Sequence, residues 1–283
     1  MKRYVNRKRP GGPKRRHRWE ERRHRMTVSP VGQLVQRGID VELMSRSLGF
    51  AALATLTLVP LLLLIAAVDP GSGLGAGQWL VRVLGVAPSS RRPIADLFGS
   101  PAEALRRTTA FGFVGLAVFG LSFGSALQTG YEKAWSLPAA KWRSAWRHVM
   151  WLAVFIAFLI LAIKLDGHSQ TDAEQTLAGI GELVLSLIFF LWSQRFLTNG
   201  RVRWRALLPS SVATAIGLLG LHIFSSLVFS PLIASNAVTY GPFGTVLVIQ
   251  SWLVGVGFVV YGGVLVGRVF HEHTTAARVR RDS

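Results

Sequence analysis

Long apolar blocks separated by short basic stretches constrain this 283-residue chain more than any other feature. Hydrophobic residues make up 50% of the chain and charged residues only 16%, whereas an ordinary soluble domain has about 25% charged residues. A block of about 20 residues is the length that an α-helix needs to cross roughly 30 Å of hydrocarbon. The sequence therefore predicts six membrane spans, at residues 48–68, 109–127, 148–163, 177–197, 207–229 and 243–267.

The blocks predict helices rather than strands, because they lack a polar/apolar alternation and are about twice the length of a barrel strand. We expect an all-α integral membrane protein whose six-helix bundle occupies residues 48–267. A basic, partly disordered arm (1–47) precedes the bundle, and a basic tail (268–283) follows it. The loop after the first span is predicted to hold short interfacial helices. Because the first apolar stretch begins only at Leu48, we expect no cleavable secretory signal.

The distribution of Lys and Arg predicts the orientation of the bundle. If the N-terminus faces the cytoplasm, 26 of the 32 basic residues lie on the cytoplasmic side and six lie on the other. The cytoplasmic segments are then residues 1–47, 133–147, 195–205 and 268–283. Because basic loops are retained on the cytoplasmic side, both termini are predicted to be cytoplasmic.

Three polar side chains lie inside the predicted spans at similar depth. Glu182, His222 and Gln250 fall about 7 to 11 Å below the outer boundary, at 1.5 Å per helical residue. A buried ionisable group in lipid is costly and usually has a partner, so we expect these side chains to form one polar cluster. Such a cluster would either fix helix packing or line a path for a substrate or proton; the third alternative is that the three do not meet.

Enzymatic patterns are weak in this chain. There is no Cys, which excludes thiol nucleophiles and Cys-based zinc sites. Ser122 lies in a Gly-x-Ser-x-Gly pattern, but inside a predicted helix rather than at the strand-to-helix turn that a nucleophile elbow needs. His271 and His273 lack the four-residue spacing of a helical metal site. We therefore expect no catalytic residue, no metal and no cofactor.

Three stretches resemble the YihY/BrkB family of bacterial inner-membrane proteins. They are Ala126-Leu-Gln-Thr-Gly-Tyr-Glu-Lys-Ala-Trp-Ser-Leu-Pro138, Arg201-Val-Arg-Trp-Arg-Ala-Leu-Leu-Pro209, and Tyr240-Gly-Pro-Phe-Gly244 with the following Trp252-Leu253. The positions that carry the resemblance are Tyr131, Trp135, Pro138, Pro209, Tyr240, Gly241, Gly244 and Trp252. Two positions depart from the family pattern: Leu265 stands where members often have Glu, and Ser210-Ser211 stand where they usually have Gly-Ala.

The resemblance implies a multi-pass protein of the bacterial cytoplasmic membrane that supports envelope integrity and transports a lipid-like or amphipathic substrate. It also brings an old ribonuclease label, which this sequence gives no reason to adopt. The alternative is a membrane scaffold that transports nothing, and the third choice is a membrane-embedded hydrolase or nuclease. A continuous polar cavity would favour transport, and a tightly packed apolar bundle would favour a scaffold.

Membrane lipids are the expected partners, with anionic headgroups bound by the basic arm. The arm holds 14 of the 32 basic residues but only two aromatic residues, Tyr4 and Trp19, so we expect no specific nucleic acid. Association into a homo-oligomer is left open.

Overall fold

The computed structural model describes residues 30–68, 114–139, 145–167 and 172–282. All secondary structure in these ranges is helical, which confirms the all-α class, and the described part of every predicted span is helical. The helices are α1 (Pro30–Asp40), α2 (Leu43–Val68), α3 (Leu121–Ala134, preceded by the π-helical turn Leu116–Gly120), α4 (Ala145–Gly167), α5 (Asp172–Leu197) and α6 (Trp204–Asp282).

The 79-residue helical run of α6 folds back on itself. A Cβ atom on Gly263 would lie 2.9 Å from the backbone nitrogen of Thr214, and one on Gly267 would lie 2.6 Å from that of Ser210. A straight helix would separate Thr214 from Gly263 by about 70 Å, at 1.5 Å for each residue. The run therefore consists of two antiparallel arms, a first arm (Trp204–Val228) and a second arm (Val246–Thr275).

Successive helices of the bundle alternate in direction. Trp151 of α4 donates to Ser193 of α5 near one end, while Leu165 lies beside Gly181 near the other. Similar pairs of contacts orient α2 against α3 and α3 against α4. Ser210 of the first arm donates to Gln194, which places that arm against the end of α5. α2, α3, α4, α5 and the two arms thus form an up-and-down bundle of six helical segments.

Four described helices are long and apolar enough to cross a membrane. They are Trp146–Leu165, Leu177–Leu197, Trp204–Val228 and Val246–Thr275. A fifth candidate is the pair Gly32–Asp40 and Leu43–Leu58, which is bent by 59°. The second predicted span is described only from residue 114 onward. Six complete spans and two cytoplasmic termini therefore stay predictions.

Polar hydroxyls inside the bundle are satisfied by the helices that carry them. Thr55 and Thr57 donate to the carbonyl oxygens of Ala51 and Leu53, and Thr214 donates to Ser210. This bond to the carbonyl four residues back lets a hydroxyl face an apolar environment without an unpaired donor.

Short turns at one end of the bundle stop the helices. α3 is followed by Ser136 at φ 50°, and α5 by Asn199 at φ 60° and Gly200 at φ 69°. The N–H of Gly200 donates to the carbonyl of Arg195, so the last turn of α5 is closed by a left-handed cap.

Several sequence predictions fall outside the described residues. These are the first part of the basic arm and the interfacial helices of the first outer loop. The described part of the arm is helical from Pro30, and α2 begins at Leu43, five residues before the predicted span. At the other end, α6 continues from the predicted span through most of the predicted tail.

Candidate functional site

A cavity of about 770 Å³ lies inside the bundle and is lined by residues of α2, α3, α4, α5 and both arms of α6. Along α5 the lining residues extend from Ala178 to Ser193, about 22 Å at 1.5 Å per residue. This length is more than half of the roughly 30 Å of hydrocarbon in a bilayer. The volume lies within the range of about 300 to 1,000 Å³ that is usual for ligand pockets.

Aromatic rings form much of the cavity wall. Trp151 stacks on Phe155 with ring centroids 5.1 Å apart, and Phe158 stacks on Phe189 at 4.3 Å. Phe123 packs edge-on against Trp151 and links this group to α3. Rings packed against one another hold the wall in place, because aromatic pairs favour stacked or edge-on geometry. The wall therefore presents a large apolar surface to whatever occupies the cavity.

Few polar side chains line the cavity. Those with a hydroxyl, carboxylate or imidazole group are Thr57, Tyr131, Glu182, Ser186, Ser193 and His222. Ser193 accepts the indole N–H of Trp151 over 2.7 Å. Two of the three residues expected to cluster, Glu182 and His222, thus lie on the wall of one cavity, and both also interact with other parts of the protein.

Gln250, the third residue of that expected cluster, forms a hydrogen bond with the hydroxyl of Thr55 on α2. It does not belong to the described cavity lining. Leu221, the neighbour of His222, lies beside Gly255 of the second arm. Gln250 precedes Gly255 by five residues, so it lies about 7 Å farther along the bundle than Leu221. A mutual contact of Glu182, His222 and Gln250 stays a prediction.

Glu182 and His222 lie at the same height in the bundle. The hydrogen bond from Ser210 to Gln194 fixes the level at which α5 faces the first arm, which run antiparallel. Glu182 lies 12 residues before Gln194, and His222 lies 12 residues after Ser210. Both are therefore about 18 Å from the level of that hydrogen bond.

The motif positions divide between the cavity and one end of the bundle. Tyr131 and Trp252 are buried and line the cavity. Trp135 lies at the end of α3, where its ring packs against His271, and Pro138 accepts a hydrogen bond from Arg201. Pro209 lies in the first arm, and Tyr240, Gly241 and Gly244 lie in the helical run between the two arms.

A polar network links α3, α4 and the turn after α5 at the end of the bundle where α3 and α5 end. Glu132, only 4% exposed, forms an ion pair with Arg201, and it also accepts a hydrogen bond from Gln128. Gln128 in turn bonds His148 of α4 over 2.7 Å. Arg201 donates to Thr198 and Pro138 as well, so one guanidinium joins the ends of α3 and α5. We call these residues the closing network: Gln128, Glu132, His148 and Arg201.

More ion pairs at the same end attach α1, α2 and the second arm. Arg37 donates to Glu272 with both guanidinium nitrogens, and Arg268 donates to Glu272 and to the carbonyl of Ala134. Lys133 donates to Glu42 over 2.8 Å. That hydrogen bond, together with the ammonium charge, holds the pKa of the Glu42 carboxyl below its usual value.

Each of the four segments predicted to be cytoplasmic therefore contributes residues to this one end of the bundle. We call it the basic end. The cavity residues Glu182 and His222 lie toward the opposite end.

The closing network and the aromatic wall were not identified as functional from the sequence. Gln128 and Glu132 stand four residues apart in the family motif, a spacing that places both on one helix face. Trp151, Phe155 and Phe158 also share a face. These spacings indicate which residues of one helix act together, but they do not identify partners on other helices.

The residues of the two enzyme-like patterns have structural partners. The Ser122 hydroxyl donates to the carbonyl of Val118 over 2.6 Å, within the helical run that leads into α3. His271 packs against Trp135, and Glu272 is paired with Arg37 and Arg268.

Comparison with known proteins gives one result. Residues 34–283 match the family model described as Virulence factor BrkB. No curated protein and no solved structure matches the chain.

Proposed function

Because the chain belongs to the BrkB family, which includes YihY, and is a multi-pass membrane protein, we propose that it binds a lipid-like molecule in its cavity and moves it between the two sides of the bacterial cytoplasmic membrane. This movement supports the integrity of the cell envelope. The basic end faces the cytoplasm, and both termini lie on that side. The chain acts without catalysis, metal or cofactor.

The cavity is the observation that carries this proposal. A continuous polar cavity would favour transport and a tightly packed apolar bundle would favour a scaffold, but the described part of the bundle shows a third arrangement, a mainly apolar cavity. Its cavity is about 770 Å³, its wall is mainly aromatic and aliphatic, and a few polar groups lie on that wall. Such a wall solvates hydrocarbon, because it offers apolar contacts and almost no hydrogen-bonding groups.

The closed basic end supports a transport step. Ion pairs link α1, α3, the turn after α5 and the second arm at that end, and in the proposed cycle they hold it closed, while the cavity lies in the rest of the bundle. A cavity closed toward one side of a membrane is half of an alternating-access cycle. The substrate would reach the other side when the closing network separates.

Reconstituted vesicles test the proposal. Full-length protein in vesicles with a fluorescent phospholipid analogue should increase the rate at which the analogue crosses the bilayer, measured by reduction of the outer-leaflet fluorophore with dithionite. Ser186→Phe should lower that rate several-fold, because Ser186 lines the cavity and a phenyl ring would fill part of it.

Ile188→Phe is the matched control, since Ile188 is on the same helix, is 58% exposed and is outside the described lining. It should leave the rate unchanged. If vesicles with native protein and vesicles without protein show equal rates, the alternative of a scaffold that recruits partners or anionic lipids through its basic arm replaces this proposal.

A further inference from the structure

The cavity reaches the outer surface of the bundle between α5 and the first arm of α6. Of the described residues that line it, three are exposed: Gly179, Leu183 and Leu219. Gly179 and Leu183 belong to α5, and Leu219 belongs to the first arm. The lining residues contributed by α2, α3, α4 and the second arm are buried or half-buried. We call this opening the portal, defined by Gly179, Leu183 and Leu219.

The portal opens sideways, toward lipid. Its neighbours on the two helices are also exposed apolar side chains, such as Ile180 and Ile216. An exposed apolar surface on a membrane helix faces hydrocarbon, since no water competes for it there. A molecule that entered at the portal would pass from the bilayer into the cavity without crossing water.

Among the described residues that line the cavity, Glu182 and His222 are the ionisable side chains near the portal. Glu182 lies one residue before Leu183, and His222 lies three residues after Leu219. The lining below them, toward the basic end, is mainly aromatic and aliphatic. The cavity therefore complements an amphipathic ligand, because it offers polar contacts near the entrance and apolar contacts along the rest of its length.

Charge indicates which headgroup this arrangement accepts. The described cavity lining contains neither Lys nor Arg, the residues that usually bind anionic headgroups. A carboxylate has about four lone-pair sites, so Glu182 can accept hydrogen bonds from a ligand as well as from the protein. An imidazole N–H can donate to a phosphate oxygen. Together the two side chains complement a headgroup that carries an ammonium group beside its phosphate.

We propose that the portal admits a zwitterionic phospholipid with a primary ammonium group, whose headgroup contacts Glu182 and His222 and whose acyl chain enters the cavity. This inference rests on the proposed function for the movement of the lipid, but the binding itself can be measured separately.

Photocrosslinking of lipid to the full-length protein tests the inference. The probes are phosphatidylethanolamine and phosphatidylglycerol with the same diazirine-bearing acyl chain, each at the same concentration in nanodiscs. The native chain should be labelled more by the ethanolamine lipid, with a preference of roughly tenfold or more, the scale of one charge-assisted hydrogen bond. The labelled peptides should come from α5 and the first arm.

Three variants assign the labelling to the portal. Leu219→Trp should reduce it several-fold by narrowing the entrance, whereas Ile216→Trp should not, because Ile216 is on the same arm, is 61% exposed and is outside the described lining. Glu182→Gln should remove the preference between the two lipids. Circular dichroism and gel filtration show whether each variant is folded.

Equal labelling of the native chain by both lipids would overturn the inference. Labelling of Leu219→Trp at the native level would overturn it as well. The proposed function fails in a different way. Selective labelling with no lipid movement in vesicles would leave the site and remove the transport step. Movement of lipid without headgroup preference would leave transport and remove the site.

Discussion

At the residue scale, Glu132 and Glu42 show how differently two carboxylates of one protein contribute to its stability. Both pair with a basic side chain at the basic end of the bundle. Glu132 is almost fully buried and holds Arg201 and Gln128, whereas the Glu42 side chain is 62% exposed. A pair exposed to water contributes little, because solvent screens the charges. A buried carboxylate cannot be removed without leaving its cation and hydrogen-bond donors unpaired.

Replacing Glu132 should therefore destabilise the protein. Glu132→Ala leaves the buried Gln128 amide without this acceptor and removes the charged partner of Arg201, which keeps its bonds to Thr198 and Pro138. The expected cost is roughly 1–3 kcal/mol, the scale of one buried donor left unpaired. The thermal unfolding temperature of the purified protein in detergent should fall.

Glu42→Ala, at an exposed ion pair, serves as the comparison and should leave that temperature nearly unchanged. An equal fall in the two variants would show that burial does not set the contribution of these pairs.

At the scale of the helices, close contact between the two arms of α6 depends on glycine. Gly263 and Gly267 in the second arm face Thr214 and Ser210 of the first arm, and there is no room for a Cβ atom at either glycine. The spacing of four residues places both on one face, as in the small-xxx-small pattern of membrane helices. Gly262, the neighbour of Gly263, has no atom within 4 Å of its Cβ position. One position thus forms the contact between the arms, and the next does not.

Adding a single methyl group should have different effects on stability at Gly267 and at Gly262. Gly267→Ala would place a Cβ atom 2.6 Å from the backbone of Ser210, so the arms must move apart, at a cost of about 1–3 kcal/mol for overpacking.

In contrast, Gly262→Ala should be neutral or slightly stabilising, because alanine favours a helix by about 1 kcal/mol over glycine. Thermal unfolding in the same detergent compares the two variants. If both unfold at the native temperature, the arms do not depend on this contact.

At the scale of the whole molecule, the basic segments share one end. Ion pairs involve α1 and the turn after it, the end of α3, the turn after α5 and the end of the second arm. These segments belong to the four that contain 26 of the 32 basic residues, and basic loops stay on the cytoplasmic side during insertion. In the proposed orientation both termini are cytoplasmic, and Glu182 and His222 lie toward the other half of the membrane.

Cysteine labelling tests this orientation, and the chain offers an unreactive background because it has no Cys. In intact cells, a membrane-impermeant maleimide should label Asn236→Cys, in the predicted loop between the last two spans, but not Asn199→Cys, in the turn after α5. Asn199→Cys should react once the cells are opened. The reverse pattern in intact cells would place the basic end outside.

The sequence by itself determined the class of the protein and the motifs of its family. Partitioning into a bilayer depends on the length and composition of each segment alone, so blocks of about 20 apolar residues are sufficient to predict membrane helices. Three motif stretches, which include Tyr131, Tyr240 and Trp252, indicated the family, and the match over residues 34–283 confirms it.

Only the tertiary structure decided which side chains meet. Matched depth along the chain predicts that Glu182, His222 and Gln250 share a layer. The structure places Glu182 and His222 on the cavity wall and a hydrogen bond between Gln250 and Thr55, and contact among all three stays a prediction. Depth follows from counting residues, whereas a contact also needs the rotation of each helix about its axis and its register against its neighbour. Packing of the whole bundle sets both, and it alone leaves an apolar cavity between helices that are equally apolar on their outer faces.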